Sequence, residues 1–381
     1  MRVCFITSEV FVGRHGGFGR LVRVVGRELA RRGFDVYAIT WAEPGMEGFM
    51  EIDSVKVLSY PYSYTTSSAL RHVIDYSRVV PLIRQVNADV YISIDCMVET
   101  YIAQKVMPRR RHVIWVQDPF DENDYRLLSL VDPNYKFNKP KFEATRLLYA
   151  LAYRRADLVL TQARYYIPKI RRLYHIDPEK IVYMPNPVEY IPVESSIVKS
   201  EKPIVCYLGR MDPQKRYWLF FELARKFPDI EFIAMGAPNQ LYKELYNRII
   251  RKYQGLRNLK VLGFVSEGKK REILSKCWIL CLPSIREGLP IAFLEALAHK
   301  CALLSTVNPD NIVEMFGYYG EVKDLSKRLE ALLKDNEWKI KGELGYRYVV
   351  EVHSLHKVID KLIDVLQSCS VLGKVTNDFY A

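Results

Sequence analysis

At 381 residues, with 49% apolar and 26% charged side chains, the chain is too long for one ordinary core and too apolar to be disordered. A net charge of +12 favours anionic partners, among them nucleotides, lipid phosphates, phospholipid headgroups and nucleic acid. Seven scattered cysteines, an odd number, exclude a fully paired disulfide framework.

Val3–Thr7 reads as a strand, and its apolar run is too short for a signal peptide or a membrane span, so cytoplasmic residence is expected. His15-Gly16-Gly17-Phe18-Gly19-Arg20 follows, a loop whose glycines let backbone approach a ligand, ahead of a helix over Leu21–Arg32 that ends at Gly33. The loop lacks the third glycine of a dinucleotide fingerprint. The next strand, Asp35–Thr40, ends without a ribose-binding acid, so a nicotinamide or flavin site is not expected.

Strands over Val55–Ser59, Val90–Ile94, His112–Gln117 and Leu158–Thr161 alternate with amphipathic stretches, the pattern of βαβ units in a parallel sheet. Trp115-Val116-Gln117-Asp118-Pro119-Phe120 ends one of them with an acid where a cleft is expected; a turn aspartate before proline reads equally well. Ala144–Arg155 is apolar with a basic end, and a helix packed under the adjacent strand is preferred over an interfacial one.

The proline-rich stretch around Pro185-Asn186-Pro187-Val188 up to Pro203 marks a hinge. A second alternation follows: Ile204–Leu208, a helix over Trp218–Lys226, Glu231–Met235, a helix over Tyr242–Tyr253, Leu259–Leu262, Glu272–Cys277, Ile279–Pro283 and a helix over Leu289–Ala298. The amphipathic stretch His353–Leu366 is expected to run back to the first domain. The expected division is thus a first domain over 1–187, a hinge over 188–202, a second domain over 203–352 and a returning helix over 353–381.

Two loops follow strands of the second half and carry charge. Gly209-Arg210-Met-Asp-Pro-Gln-Lys215 places a guanidinium and an ammonium together, able to stabilise negative charge on a ligand without a metal. Pro283-Ser-Ile-Arg-Glu287-Gly288-Leu289-Pro290-Ile291-Ala-Phe-Leu-Glu295-Ala296 puts one glutamate at a strand end and a second two turns into the next helix. Basic clusters such as Lys269-Lys270-Arg271 read as solvated faces, and Cys277 and Cys281 as buried apolar residues.

This E-x7-E pair after Pro-Ser-x-x-Glu-Gly, with Gly-Arg-x4-Lys upstream, resembles glycosyltransferase family 4, the retaining group 1 type of GT-B fold: α/β, two Rossmann-like domains facing across a cleft. The resemblance implies that Glu287 contacts the transferred sugar and Glu295 the nucleotide ribose. Gly288, Leu289, Pro290 and Ile291 then offer backbone to sugar or diphosphate, and Gly16, Gly17 and Gly209 line the cleft. Arg210 and Lys215 hold the leaving group, and Phe264 and Val265 lie by the nucleobase. Gln117 and Asp118 stand where many members have a sugar-contacting histidine, and Asp118 is taken as a catalytic candidate.

The expected reaction is transfer from a nucleotide-sugar donor to a glycan or lipid-linked acceptor, with no cofactor, no essential metal, a peripheral contact with an anionic membrane and no nucleic acid. A non-catalytic nucleotide- or RNA-binding protein on the same fold is the alternative, and a phosphorylase or epimerase is a third reading.

Overall fold

The computed structural model describes residues 1–9, 17–42, 45–61, 68–95 and 97–368. The first sheet holds β1 (Arg2–Thr7), β2 (Asp35–Ala42), β3 (Gly48–Ile52), β4 (Val55–Pro61), β5 (Val90–Ile94), β6 (Arg111–Val116), β7 (Leu158–Thr161) and β8 (Ile181–Tyr183), in the order β3-β4-β2-β1-β5-β6-β7-β8. Apart from the antiparallel β3–β4 pair, its neighbours run parallel. β5 and β7 are buried throughout their length, as strands with both faces covered must be.

Helices α1 (Gly17–Arg31), α2 (Ser68–Val86), α3 (Val98–Val106), α4 (Glu122–Ser129), α5 (Lys139–Arg155) and α6 (Tyr166–Tyr174) connect these strands. α2 and α3 cover one face of the central strands with Val79, Ile83, Ile102 and Ala103. On the other face α1 contributes Leu21, Val22, Val25 and Leu29.

The second sheet holds β9 (Ile204–Leu208), β10 (Glu231–Met235), β11 (Leu259–Val261), β12 (Ile279–Leu282), β13 (Ala302–Ser305) and β14 (Gly317–Tyr319), all parallel, in the order β11-β10-β9-β12-β13-β14. Its helices are α7 (Tyr217–Lys226), α8 (Lys243–Tyr253), α9 (Glu267–Lys276), α10 (Ile291–Ala298), α11 (Ile312–Met315), α12 (Leu325–Leu333) and α13 (Glu337–Tyr348). Each sheet is of the doubly wound kind, so ligand-binding loops belong at the carboxyl ends of the strands.

The chain crosses between the two sheets twice. Outgoing residues 184–203 meet the returning segment where Val188 donates its N–H to His353 O at 2.8 Å. His353 is fully buried, with Nδ1 against Asn186 O at 2.8 Å. Burial pushes its imidazole down to about 4, so it is neutral at pH 7. α14 (Leu355–Ser368) then lays Val358, Ile359, Leu362 and Leu366 on the same face of the first sheet as α1.

Cys277 and Cys281 are buried free thiols, as read from their setting, along with Cys4, Cys206 and Cys301. Among the described residues no helix is long and apolar enough to cross a membrane. α5 packs under the sheet as expected, its Ala150, Ala152 and Tyr153 sharing a core with Ile114, Val116 and Val159, while Leu147 and Leu151 on its other side are 58% and 47% exposed.

Candidate active site

The charged loop after β9 is stitched to the loop after β12. Arg216 holds a left-handed backbone (φ 45°) and donates to Pro283 O, Ser284 O and Thr306 Oγ1 at 2.8–2.9 Å. Ile285 N–H donates to Gln214 O, and Gln214 Nε2 to Arg286 O. These bonds fix Lys215 against Glu287, with Nζ donating to Oε1 at 2.5 Å and the two side chains only 15% and 7% exposed. Gly236 makes the approach of the β10 end possible: at φ 138° a Cβ would lie 1.9 Å from Gly209 O. Arg210 is 58% exposed and lies 3.3 Å from the Asp212 carboxylate rather than on Glu287.

Glu295 projects from α10 and is 8% exposed. Its Oε1 receives Lys270 Nζ from α9 and Arg20 from α1 in the other domain, each at 2.8 Å. Arg20 also reaches Glu189 and Glu267, and Lys270 reaches Glu267. Burial opposes the charge of Arg20, but Glu295 and the other two carboxylates more than offset it and raise its pKa. Lys270, read from sequence as part of a solvated basic face, is 7% exposed and inward-facing. Its position on the buried side of α9 was hidden in a run of three cations.

Around the same cleft, Gly17 starts α1, and a Cβ there would sit 3.6 Å from Ile291 Cδ1 at the start of α10. Two helix N-termini, one per domain, thus face each other, a setting favourable to an anion. Pro290 is the N-cap of α10 without a side-chain cap, and Leu289 is 4% exposed. Phe264, by contrast, is 87% exposed, and Val265 packs on the second domain's core. Gly16 lies outside the described residues.

Gly288 closes the space between domains: a Cβ there would meet Gln117 O, Gln162 Nε2 and Tyr166 Oη at 3.1 Å. Tyr165 Oη donates to Glu287 O at 2.9 Å across the same gap. Gln117 is buried in an amide network, its Oε1 accepting from Asn186 Nδ2 at 2.8 Å. Asp118 accepts from Arg286 on both carboxylate oxygens and from Tyr166 Oη on Oδ1. Behind it, Asp95 Oδ1 accepts the N–H of Gln117 at 2.6 Å and of Asp118 at 3.3 Å. Burial, with Asp118 adding, pushes Asp95 up to about 7.

Arg20, Lys270, Arg286 and Asp95 were not singled out from sequence, since each acts through a partner far along the chain. Among the described residues no three His, Cys, Asp or Glu side chains converge to hold a metal ion.

Two family models match: "Glycosyl transferase 4-like domain" over residues 16–187 and "Glycosyl transferases group 1" over 193–344. The Escherichia coli UDP-Gal:alpha-D-GlcNAc-diphosphoundecaprenol alpha-1,3-galactosyltransferase is 27% identical over 224 residues, 51% of this chain and 56% of that protein. A Campylobacter jejuni N-acetylgalactosamine-N,N'-diacetylbacillosaminyl-diphospho-undecaprenol 4-alpha-N-acetylgalactosaminyltransferase is 22% identical over 191 residues, 49% and 51% of the two chains. The match thus spans about half the length of these two relatives. Sucrose-phosphate synthase from Thermosynechococcus elongatus superposes with a TM-score of 0.79 at 13% identity, covering 96% of this chain and 98% of that one, and shares the fold.

Proposed function

We infer the reaction from one premise: the chain belongs to the group 1 glycosyl transferases with a family 4-like first domain, and it is a glycosyltransferase of GT-B fold. The reaction we propose moves a sugar from a nucleoside diphosphate sugar to an acceptor hydroxyl, with retained anomeric configuration and without an essential metal. The observation that carries it is the Lys215–Glu287 pair, held at the carboxyl ends of β9 and β12 beside two facing helix starts.

The bond from the anomeric carbon to the phosphate oxygen breaks, and the acceptor oxygen bonds to that carbon. The acceptor proton passes to an oxygen of the departing diphosphate. Lys215 and the exposed Arg210 stabilise the charge that grows on this leaving group, while Glu287 accepts hydroxyls of the sugar. Glu295, paired with Lys270 and Arg20, takes the ribose. The packed domain interface keeps water from the donor. Both relatives are named for alpha linkages, the outcome that retention gives from an α-linked donor.

A lipid-linked acceptor is the substrate class we favour, since both relatives are named for undecaprenol diphosphates. Exposed Leu147 and Leu151 lie on one side of α5, and helical spacing puts exposed Arg154 and Arg155 on the same side. This apolar and basic face suits an anionic bilayer. The protein is expected to float with anionic but not zwitterionic vesicles, and Leu147→Glu with Leu151→Glu to abolish it; flotation with neither vesicle refutes the attachment.

The deciding experiment measures nucleoside diphosphate released from UDP-, GDP- and ADP-sugars in EDTA, for wild type and Glu287→Ala. Release from one donor, lost in the variant, is expected. If no donor binds or turns over, even with lipid diphosphate acceptors present, the proposed reaction is wrong.

A further inference from the structure

We propose that Arg286 is a positioning residue that latches the two domains together and thereby sets Glu287 for transfer; this deepens, and rests on, the transferase reading above.

Arg286 belongs to the second domain, in the loop after β12, yet every charged partner of its guanidinium belongs to the first. Nη1 donates to Asp118 Oδ2 at 2.8 Å and Nη2 to Asp118 Oδ1 at 2.5 Å, a two-pronged pairing, while Nε lies 2.7 Å from Asp124 Oδ1. The guanidinium carbon sits 3.7 Å from the centroid of the Phe120 ring. The side chain is only 5% exposed.

A buried guanidinium is tolerable only where carboxylates and a ring face replace its water. Here those groups arrive from the opposite domain, so the buried, ion-paired state of Arg286 exists only while the domains are shut. Burial opposes its charge, but Asp118 and Asp124 outweigh that and raise its pKa. The receiving side is prebuilt. Asp124 is held by Lys169 and by the N–H of its own helix cap, and Asp118 by Tyr166 Oη at 2.8 Å.

The next residue in the chain is Glu287, and the two successive carbonyls of this pair are gripped from opposite domains. Gln214 Nε2 donates to Arg286 O from the second domain, at 3.0 Å, and Tyr165 Oη to Glu287 O from the first, at 2.9 Å. Closing the latch therefore places the Glu287 backbone, while the Lys215 contact, wholly within the second domain, survives opening. Asp118 acts through Arg286: both of its oxygens are already occupied when the cleft is closed.

The test pairs kinetics with small-angle X-ray scattering on the full chain. Arg286→Met is expected to lower kcat for nucleoside diphosphate release about 100-fold, with KM for the sugar nucleotide changed by less than about threefold. Its radius of gyration should exceed that of the wild type. Asp118→Asn should act in the same direction, and the double variant should be little worse than Arg286→Met alone, since both remove one contact. Should Arg286→Met fail to fold by circular dichroism, Arg286→Lys, which keeps the charge without the fork, takes its place with the same two expectations.

An unchanged kcat, an unchanged radius of gyration, or independent effects that multiply in the double variant overturns the proposal. A wild type that turns over no sugar nucleotide refutes the reaction instead, and the scattering comparison then decides the latch by itself.

Discussion

Asp95→Asn is expected to gain stability relative to the wild type as pH rises from about 4 to about 7. Asp95 follows β5 in the left-handed region (φ 58°), which asparagine tolerates well, and both of its backbone partners use Oδ1. The amide therefore keeps both bonds while removing the charge. Burial holds the carboxyl at about 7 in the folded protein against 3.8 in the unfolded chain. Between those values the unfolded chain has released its proton and the folded protein has not. The folded state binds more protons, so wild-type stability falls as pH rises through this window and is level above it. Three units correspond to a ceiling of about 4 kcal/mol. Urea unfolding of both proteins at pH 5, 6, 7 and 8 measures the difference, and other titrating groups cancel. A difference that stays constant within about 0.5 kcal/mol from pH 5 to 8 refutes the reasoning.

Three further outcomes follow from the same geometry. Lys215→Ala should cut nucleoside diphosphate release by about 100-fold or more while leaving the melting curve cooperative; release within about threefold of wild type would remove Lys215 from the leaving-group site. Glu295→Ala should weaken donor binding by at least about tenfold in titration calorimetry, and binding as tight as wild type would make the ribose assignment wrong. Gly236→Ala should destabilise by roughly 3 kcal/mol or more, since its Cβ would lie 1.9 Å from a carbonyl oxygen at a φ of 138°. A melting temperature unchanged from wild type would show that the β9 and β10 ends yield more readily than their packing indicates.

The α/β class and the alternation of strands were legible because buried parallel strands such as β5 and β7 are continuous apolar runs. β3 was missed for the converse reason. It is a five-residue antiparallel edge, Gly48–Ile52, in which only Met50 and Ile52 are partly buried against the core, too short an alternation to stand out. At the site, the sequence drew attention to Lys215 and Glu287, and the fold brings these within hydrogen-bond distance. Nothing local distinguishes Arg286 from any other loop arginine, because its meaning comes from Asp118, 168 positions away. Lys270 likewise takes its meaning from Glu295, and Asp95 from the adjacent strand end.

The last helix gives the molecule an order of assembly in time. Val358, Ile359, Leu362 and Leu366 complete the first sheet's core, yet they are synthesised after the whole second domain. At about 5–20 residues per second, the ribosome makes the residues between β8 and α14 over roughly ten seconds or more. Throughout that interval the first sheet stands with part of one apolar face bare, the condition under which nascent chains recruit holding chaperones or stick to one another. A fragment ended at Pro187 would keep that bare stripe permanently, whereas one carrying residues 355–368 on a short tether would be able to cover it.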